Sequence, residues 1–182
     1  YVDLNKPSSF KEQIKISLNI LYSLEAKKKI EAVVKIEKPD IVHLNNFAHQ
    51  ISPSILHVFK RYDIPAIMTM HDYKLVCPTY NMISDGKPCE MCRKGKYYQC
   101  LLNRCTKNSY PKSLLNTIEM YLHHNILHIY DIVDVFISPS QFLISELRDM
   151  GFCRKIEYLP HFVDSLEFDP QYNSQEQSIV YF

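Results

Sequence analysis

Glycine is scarce in this chain: three in 182 residues, Gly86, Gly95 and Gly151. None follows an apolar run near the N-terminus, so the sequence has no glycine-rich turn of the kind that lets a backbone close on a phosphate. It also lacks an apolar run approaching about 20 residues, the length a helix needs to span a bilayer. The N-terminus shows no signal-peptide pattern. An excess of one charge is missing too. With 21 Lys and Arg against 20 Asp and Glu, the formal charge is +1, which excludes a general electrostatic pull toward nucleic acid or an acidic substrate. Internal repeats and low-complexity stretches are absent.

What remains is the composition of a soluble globular domain, 46% hydrophobic and 23% charged. That is enough for one sizeable core and about one domain. The expected location is cytoplasmic. Thiols there stay reduced, so clustered cysteines point to metal or chemistry rather than to disulfides. Both ends read as cut: the chain opens on Tyr1 without an initiator Met and closes on the β-type run Ser178 to Phe182.

The elements alternate. Phe10, Ile14, Leu18 and Leu21 stand at helical spacing and predict an amphipathic helix over residues 10–22. Ser23 is placed to cap a second helix through Ala26, Ile30, Val33 and Val34, which Pro39 stops. Ile41, Val42 and Leu44 predict a short buried strand. A helix with Ile55, Leu56 and Phe59 inward follows, with Pro53 in its first turn, and Ala66 to Met70 is the next strand. A long helix over 113–130 is predicted to face inward with Leu114, Ile118, Tyr121, Leu122, Ile126 and Ile129. Then come a strand over 132–138, a helix capped by Ser140 and ended at Gly151, and one more short strand before Pro160. Strand, helix, strand with short connections is the signature of a parallel sheet in an α/β domain.

In open parallel sheets ligands sit at the carboxyl ends of the strands. That rule collects His43, Asn45 and Asn46 after the first strand, His71 and Asp72 after the second, Ser138 and Ser140 after the third, and His161 and Asp164 after the fourth. Residues far apart in sequence are thereby expected at one cleft.

The segments "KPDIVHLNN", "IPAIMTMHDYKLVCP", "DVFISPSQFLISELRDMGF" and "IEYLPHFVD" occur in an order and spacing that resembles the N-terminal domain of the family 4 retaining glycosyltransferases, over roughly residues 25 to 170. The resemblance implies a GT-B architecture: a Rossmann-like parallel sheet with helices on both faces, incomplete here at the N-terminus and carrying a Cys-rich loop insertion over 77–110. Residues 1–175 would form the acceptor-side domain. Residues 176–182 would begin a linker or the first strand of a donor-binding domain. The implied reaction moves a hexosyl-type sugar from a nucleotide-sugar donor to a glycan or lipid-linked acceptor, with retention of configuration, as in cell-surface polysaccharide synthesis.

By the same resemblance His71 matches the histidine that contacts the transferring sugar, with Asp72 orienting it. An imidazole can hydrogen-bond a sugar hydroxyl or the departing phosphate and support charge separation. His43, Asn45, Asn46, Ser138, Ser140 and His161 are the expected substrate-binding residues. His161 stands where related sequences carry a small turn residue, so a plain turn histidine is its other reading. No catalytic metal is implied. The family's first strand and Gly-rich turn have no counterpart, and the donor-binding half is missing, so this stretch alone is expected to be inactive.

Cys89, Cys92, Cys100 and Cys105 follow the pattern Cys-x2-Cys-x7-Cys-x4-Cys, with Gly95 able to make a tight turn. Four such thiolates could close a tetrahedral structural zinc site and fold a loop that has no core of its own. An iron–sulfur cluster or free thiols are the alternatives, and Cys77 is a fifth candidate ligand. Cys153 stands alone and is expected to pack as a small hydrophobe. Arg93, Lys94, Lys96, Arg104, Lys107 and Lys112, interleaved with Tyr97, Tyr98 and Tyr110, read as a solvated loop surface. In a competing view they belong to a non-catalytic, zinc-braced module for RNA or a protein partner; a further GT-B-like enzyme, such as a phosphorylase or epimerase, is a third. No nucleic acid is expected for the transferase. The Lys27 to Lys29 run is a solvated helix face whose other reading is peripheral contact with anionic lipid at the inner face of the membrane.

Overall fold

The computed structural model describes residues 10–47 and 51–162. The chain enters as two helices, α1 (Phe10–Leu21) and α2 (Leu24–Glu37). Ser23 separates them, its hydroxyl accepting the Ala26 N–H at 3.1 Å, and Lys38 ends α2 in the left-handed conformation at φ 46°, so the helix stops one residue before Pro39 as predicted. Strand β1 (Val42–Asn45) leads through a 3₁₀ turn (Pro53–Ile55) into α3 (Leu56–Arg61) and back to β2 (Ala66–Thr69).

Residues 71–109 then leave the alternation. They hold a two-stranded hairpin, β3 (Ile83–Ser84) with β4 (Lys87–Pro88), a 3₁₀ turn (Arg93–Gly95) and the short helix α4 (Tyr98–Leu102). The main fold resumes with α5 (Tyr110–Tyr121), β5 (Val135–Ser138), α6 (Gln141–Asp149) and β6 (Ile156–Tyr158).

The four long strands pair in the order β1-β2-β5-β6, every pair parallel. The Rossmann-like α/β sheet expected from the sequence is therefore present. Because this order runs in one direction, right-handed crossovers bring the described connections over one face. Burial agrees: Leu44, Met68 and Phe136 are buried on that side, while His43 and Asn45 on the alternate side are exposed. Phe152 packs edge to face on Phe136, ring centroids 5.0 Å apart, and Leu56, Ile129 and Leu147 are fully covered.

Several sequence expectations are corrected. The predicted long helix is broken: α5 loosens into a π turn (Leu122–Ile126) and then a 3₁₀ turn (Ile129–Ile132). Its expected inner residues Leu114 and Ile118 are each 44% exposed and Ile126 is 69% exposed. The buried face instead carries Ser113, Thr117, Glu119, Met120 and His123, because those polar groups find partners inside and the π turn shifts the helical register. Ile14 and Leu18 on α1 are exposed, as is Ile41 just before the edge strand β1; the spacing predicted helix and strand correctly, but those side chains lack covering partners among the described residues. Cys153 is exposed rather than packed, its Sγ donating to the Gly151 carbonyl at 3.4 Å, because it lies outside the last turn of α6. Asp164 and the closing run 178–182 lie outside the described residues.

Candidate functional site

The parallel sheet brings its carboxyl ends to one rim, and the residue after β2 decides what stands there. Met70 still donates its N–H to the Ile137 carbonyl at 2.8 Å, so His71 is the first side chain free of the sheet, and it is exposed. Its Nε2–H donates to Asn45 Oδ1 on β1 at 3.2 Å. His161, just past β6, stacks on it with ring centroids 5.8 Å apart and planes 7° from parallel. Three sequence-distant residues thus meet at one point. Asn46, held at φ 40°, lines a shallow depression with Thr69, His71, Asp72 and Lys74. His43 joins the same rim, its Nε2 lying 2.7 Å from Thr69 Oγ1.

The other expected site residues have other partners. Asp72 turns away from His71: its Oδ1 accepts the backbone N–H of Lys74 at 2.8 Å, so Asn45 rather than Asp72 contacts the histidine. Ser138 is fully buried. Its hydroxyl donates to the Ser140 carbonyl at 3.0 Å and accepts the Ser140 N–H at 3.3 Å. Ser140 in turn accepts the Leu143 N–H at 3.3 Å and caps α6. These two hydroxyls build the turn that the rim rests on.

Beneath the rim lies a polar network that sequence reasoning missed. Lys74 and Glu119 are both buried, and the ammonium donates to Glu119 Oε2 at 2.7 Å and to the Pro78 carbonyl at 3.4 Å. Glu119 Oε1 stands 4.0 Å from His123 Nδ1, and His123 Nε2–H donates to the Leu21 carbonyl at 2.7 Å. A charged chain therefore runs from the segment after His71 through α5 to the end of α1. Burial holds the His123 imidazole below its ordinary pKa, against the carbonyl and Glu119, which favour the cation. Burial lowers His124 further, to about 3, with His123 adding to it. The His124 ring is partly covered, but its Nε2 is shut from solvent and has no hydrogen-bond partner. The one sequence signal for this network was Lys74 three residues after His71, because a buried lysine needs an acid and the sole carboxylate of α5 is Glu119.

The cysteines form a second cluster behind the rim. Cys77, Cys89, Cys92, Cys100 and Cys105 line one small apolar pocket with Met82, and all of them are free thiols. Burial pushes the Cys92 thiol up to about 12 and Cys100 up to about 11, with neighbouring sulfurs adding to both. Among the described residues no group of three or more His, Cys, Asp or Glu side chains is placed to hold a metal ion. The turn holding Cys92 docks on the end of α6. Arg93 Nε donates to the Asp149 carbonyl at 2.7 Å, and Lys94 N–H to that of Met150 at 2.8 Å.

No helix among the described residues is long and apolar enough to cross a membrane. A sequence model of Glycosyltransferase Family 4 matches residues 9–165. No curated protein and no solved structure matches the chain.

Proposed function

Because the chain belongs to glycosyltransferase family 4, we propose that it forms the acceptor side of a cleft in which a hexosyl group passes from a nucleotide sugar to a glycan or lipid-linked acceptor with retained configuration. The observation that carries this reading is the meeting of Asn45, His71 and His161 at the carboxyl rim of the parallel sheet, where α/β folds bind ligands. In the reaction the bond from the anomeric carbon to the nucleotide phosphate breaks and a bond to the acceptor oxygen forms. The acceptor's proton leaves with the phosphate. The charge that develops on the sugar and on the departing oxygen needs fixed dipoles more than it needs acids or bases.

His71 suits that task. It is exposed to a ligand, its ring is held by Asn45 on one side and His161 on the other, and its remaining ring atom, Nδ1, is left to accept from a sugar hydroxyl or, in the protonated ring, to donate to a phosphate oxygen. Asn46 and His43 extend the polar rim toward the acceptor, while Ser138, Ser140 and Asp72 act by holding its turns. The donor nucleotide is bound largely by groups other than these, since the described residues of the rim include no exposed cluster of cations. Six free thiols suit a reducing compartment, so transfer takes place in the cytoplasm, with a lipid-linked acceptor reached at the inner face of the membrane.

The test is nucleotide release from a panel of UDP- and GDP-sugars by the protein that carries this chain, with the anomeric configuration of the product read by NMR. Turnover with retained configuration is expected. An inverted product would overturn the retaining step, and no turnover with any donor would favour a non-catalytic binding module.

A further inference from the structure

We propose that the pocket formed by Cys77, Cys89, Cys92, Cys100 and Cys105 binds one zinc ion through four of its five thiolates, a structural site that ties the segment bearing His71 to the rest of the loop. The inference stands apart from the transferase reading, because it rests on the loop alone.

The grouping is the first support. These cysteines span 29 positions of sequence, from Cys77 to Cys105, and come from a loop, the end of a hairpin, the cap of a 3₁₀ turn, α4 and the turn after it, yet they line a single cavity. The remaining lining is Pro78, Thr79, Met82, Ile83 and Met150, with no charged side chain. A cavity walled by soft sulfur donors and lacking any carboxylate selects zinc over magnesium or calcium. Five thiols also cannot all pair as disulfides, and none is paired.

The backbone is the second support. Tyr80, Met82, Asp85, Lys94, Arg104, Lys107 and Asn108 all hold positive φ, which is unusual for residues with a Cβ. A segment bent so often, with two-residue strands and a five-residue helix, has little regular structure to hold it. Small folds of this kind are stapled by metal or disulfide.

Charge is the third. Zinc bound to four thiolates carries a net charge of −2, the four protons having left to solvent. Residues 77–110 contain Lys87, Arg93, Lys94, Lys96, Arg104 and Lys107 against only Asp85 and Glu90, so the surrounding field favours that anion. Hydroxyls stand beside two of the sulfurs: Thr79 Oγ1 is 3.3 Å from Cys77 Sγ, and Thr106 Oγ1 is 4.0 Å from Cys100 Sγ. Thr79 gives its proton to Asn81 Oδ1 at 3.0 Å, whereas Thr106 accepts from Asn116 and keeps its own proton for the sulfur; a donor of that kind orients and stabilises a bound thiolate. Among the described residues the sulfurs do not stand where three or more could hold a metal ion, so binding requires side-chain rotation; one rotamer step moves a cysteine sulfur by about 3 Å, and zinc–sulfur bonds are about 2.3 Å.

The test begins with the full protein purified under reducing conditions from zinc-containing medium, its metals counted by mass spectrometry. About one zinc per chain is expected. It should persist in Cys153→Ser and be lost in four of the five single Cys→Ser variants of the pocket. Replacing zinc by cobalt in the unsubstituted protein gives a readout that no variant's misfolding can obscure: sulfur-to-cobalt charge transfer at four-thiolate intensity. Removing the metal should raise amide exchange over residues 77–108 while leaving β2 and β5 protected. Protein without zinc whose five pocket thiols alkylate freely, iron with inorganic sulfide in place of zinc, or zinc retained in all five variants would each overturn the proposal.

Discussion

The rim of the sheet and the cysteine lobe hang from the same segment, residues 70–78, and they are held in opposite ways. At the rim, exposed polar side chains are positioned by one another, with Asn45 against His71 and His161 stacked behind it. A buried Lys74–Glu119 pair braces them from below. The lobe has no such buried pair, its Arg93–Glu90 contact at 3.7 Å being exposed. It has left-handed turns, a pocket of thiols and a few docking contacts to α5 and α6: Arg93 and Lys94 on the end of α6, and the Tyr97 carbonyl accepting Thr117 Oγ1 at 3.3 Å. Side-chain pairing organises the rim, whereas the lobe's interior is a small apolar pocket of free thiols. Constraint by charge pairing suits a site that must keep its geometry while ligands come and go, and constraint by a metal suits a loop too small for a core.

The sharpest way to break this contrast is to unpair the brace. Glu119→Ala leaves a buried ammonium with only a carbonyl, and an isolated buried charge costs about 3–5 kcal/mol. The melting temperature should fall by on the order of 10 °C, measured by calorimetry. A Lys74→Met, Glu119→Leu double variant should recover most of that loss, which would attribute the effect to the orphaned charge and not to lost packing.

The junction of lobe and sheet is the next target. Gly151 holds φ +102° at the end of α6, and a Cβ there would meet the Lys94 backbone at 3.4 Å. Gly151→Ala should therefore cost about 1–3 kcal/mol in chemical denaturation and should loosen the Lys94–Met150 hydrogen bond in amide exchange. An unchanged lobe in that experiment would show that the docking contacts matter less than the pocket.

His124 offers a pH handle at the same junction, its ring 5.7 Å from Tyr97 of the lobe and 5.0 Å from Tyr130. Its folded pKa is lowered to about 3 from a usual 6.5, so below the unfolded value the unfolded chain binds the proton and the folded one does not. Stability from this group is complete above that value and is lost as pH falls toward 3. A drop on the order of 1–2 kcal/mol between roughly pH 6.5 and pH 5 is expected, and His124→Phe should reduce it. The smallest effect is expected at Ser140→Ala, which removes the cap of α6 at about 1 kcal/mol, visible in thermal unfolding without change in the lobe.

Much of the fold was legible in the sequence for local reasons. Ser23 and Ser140 cap where their positions predicted, Gly151 ends α6, and the apolar runs hold strands at residues 66–69 and 135–138, the expected start at 132 falling instead in the 3₁₀ turn, because β-rich segments between helices pair in parallel. The rim was legible too, since the parallel order turns strand ends into neighbours. What was not legible depends on long-range partners. Apolar periodicity assigned Leu114, Ile118 and Ile126 to the interior, yet the inner face of α5 is set by Lys74, which draws Glu119 inside, while Thr117 is buried with its hydroxyl satisfied by the Ser113 carbonyl at 2.8 Å. Nor could spacing alone show that Cys77 shares a pocket with the four later cysteines, or that Asp72 serves its own turn instead of His71.

The central claim is that His71 stands at the reaction centre of a sugar transfer. It is tested most directly by comparing kcat/KM for the best nucleotide-sugar donor in the native protein and in His71→Ala, with circular dichroism to show that the fold is kept. A fall of about 100-fold, equivalent to about 2.7 kcal/mol of transition-state stabilisation, is the expected result. Undiminished turnover in the folded variant would remove His71 from the chemistry and contradict the account.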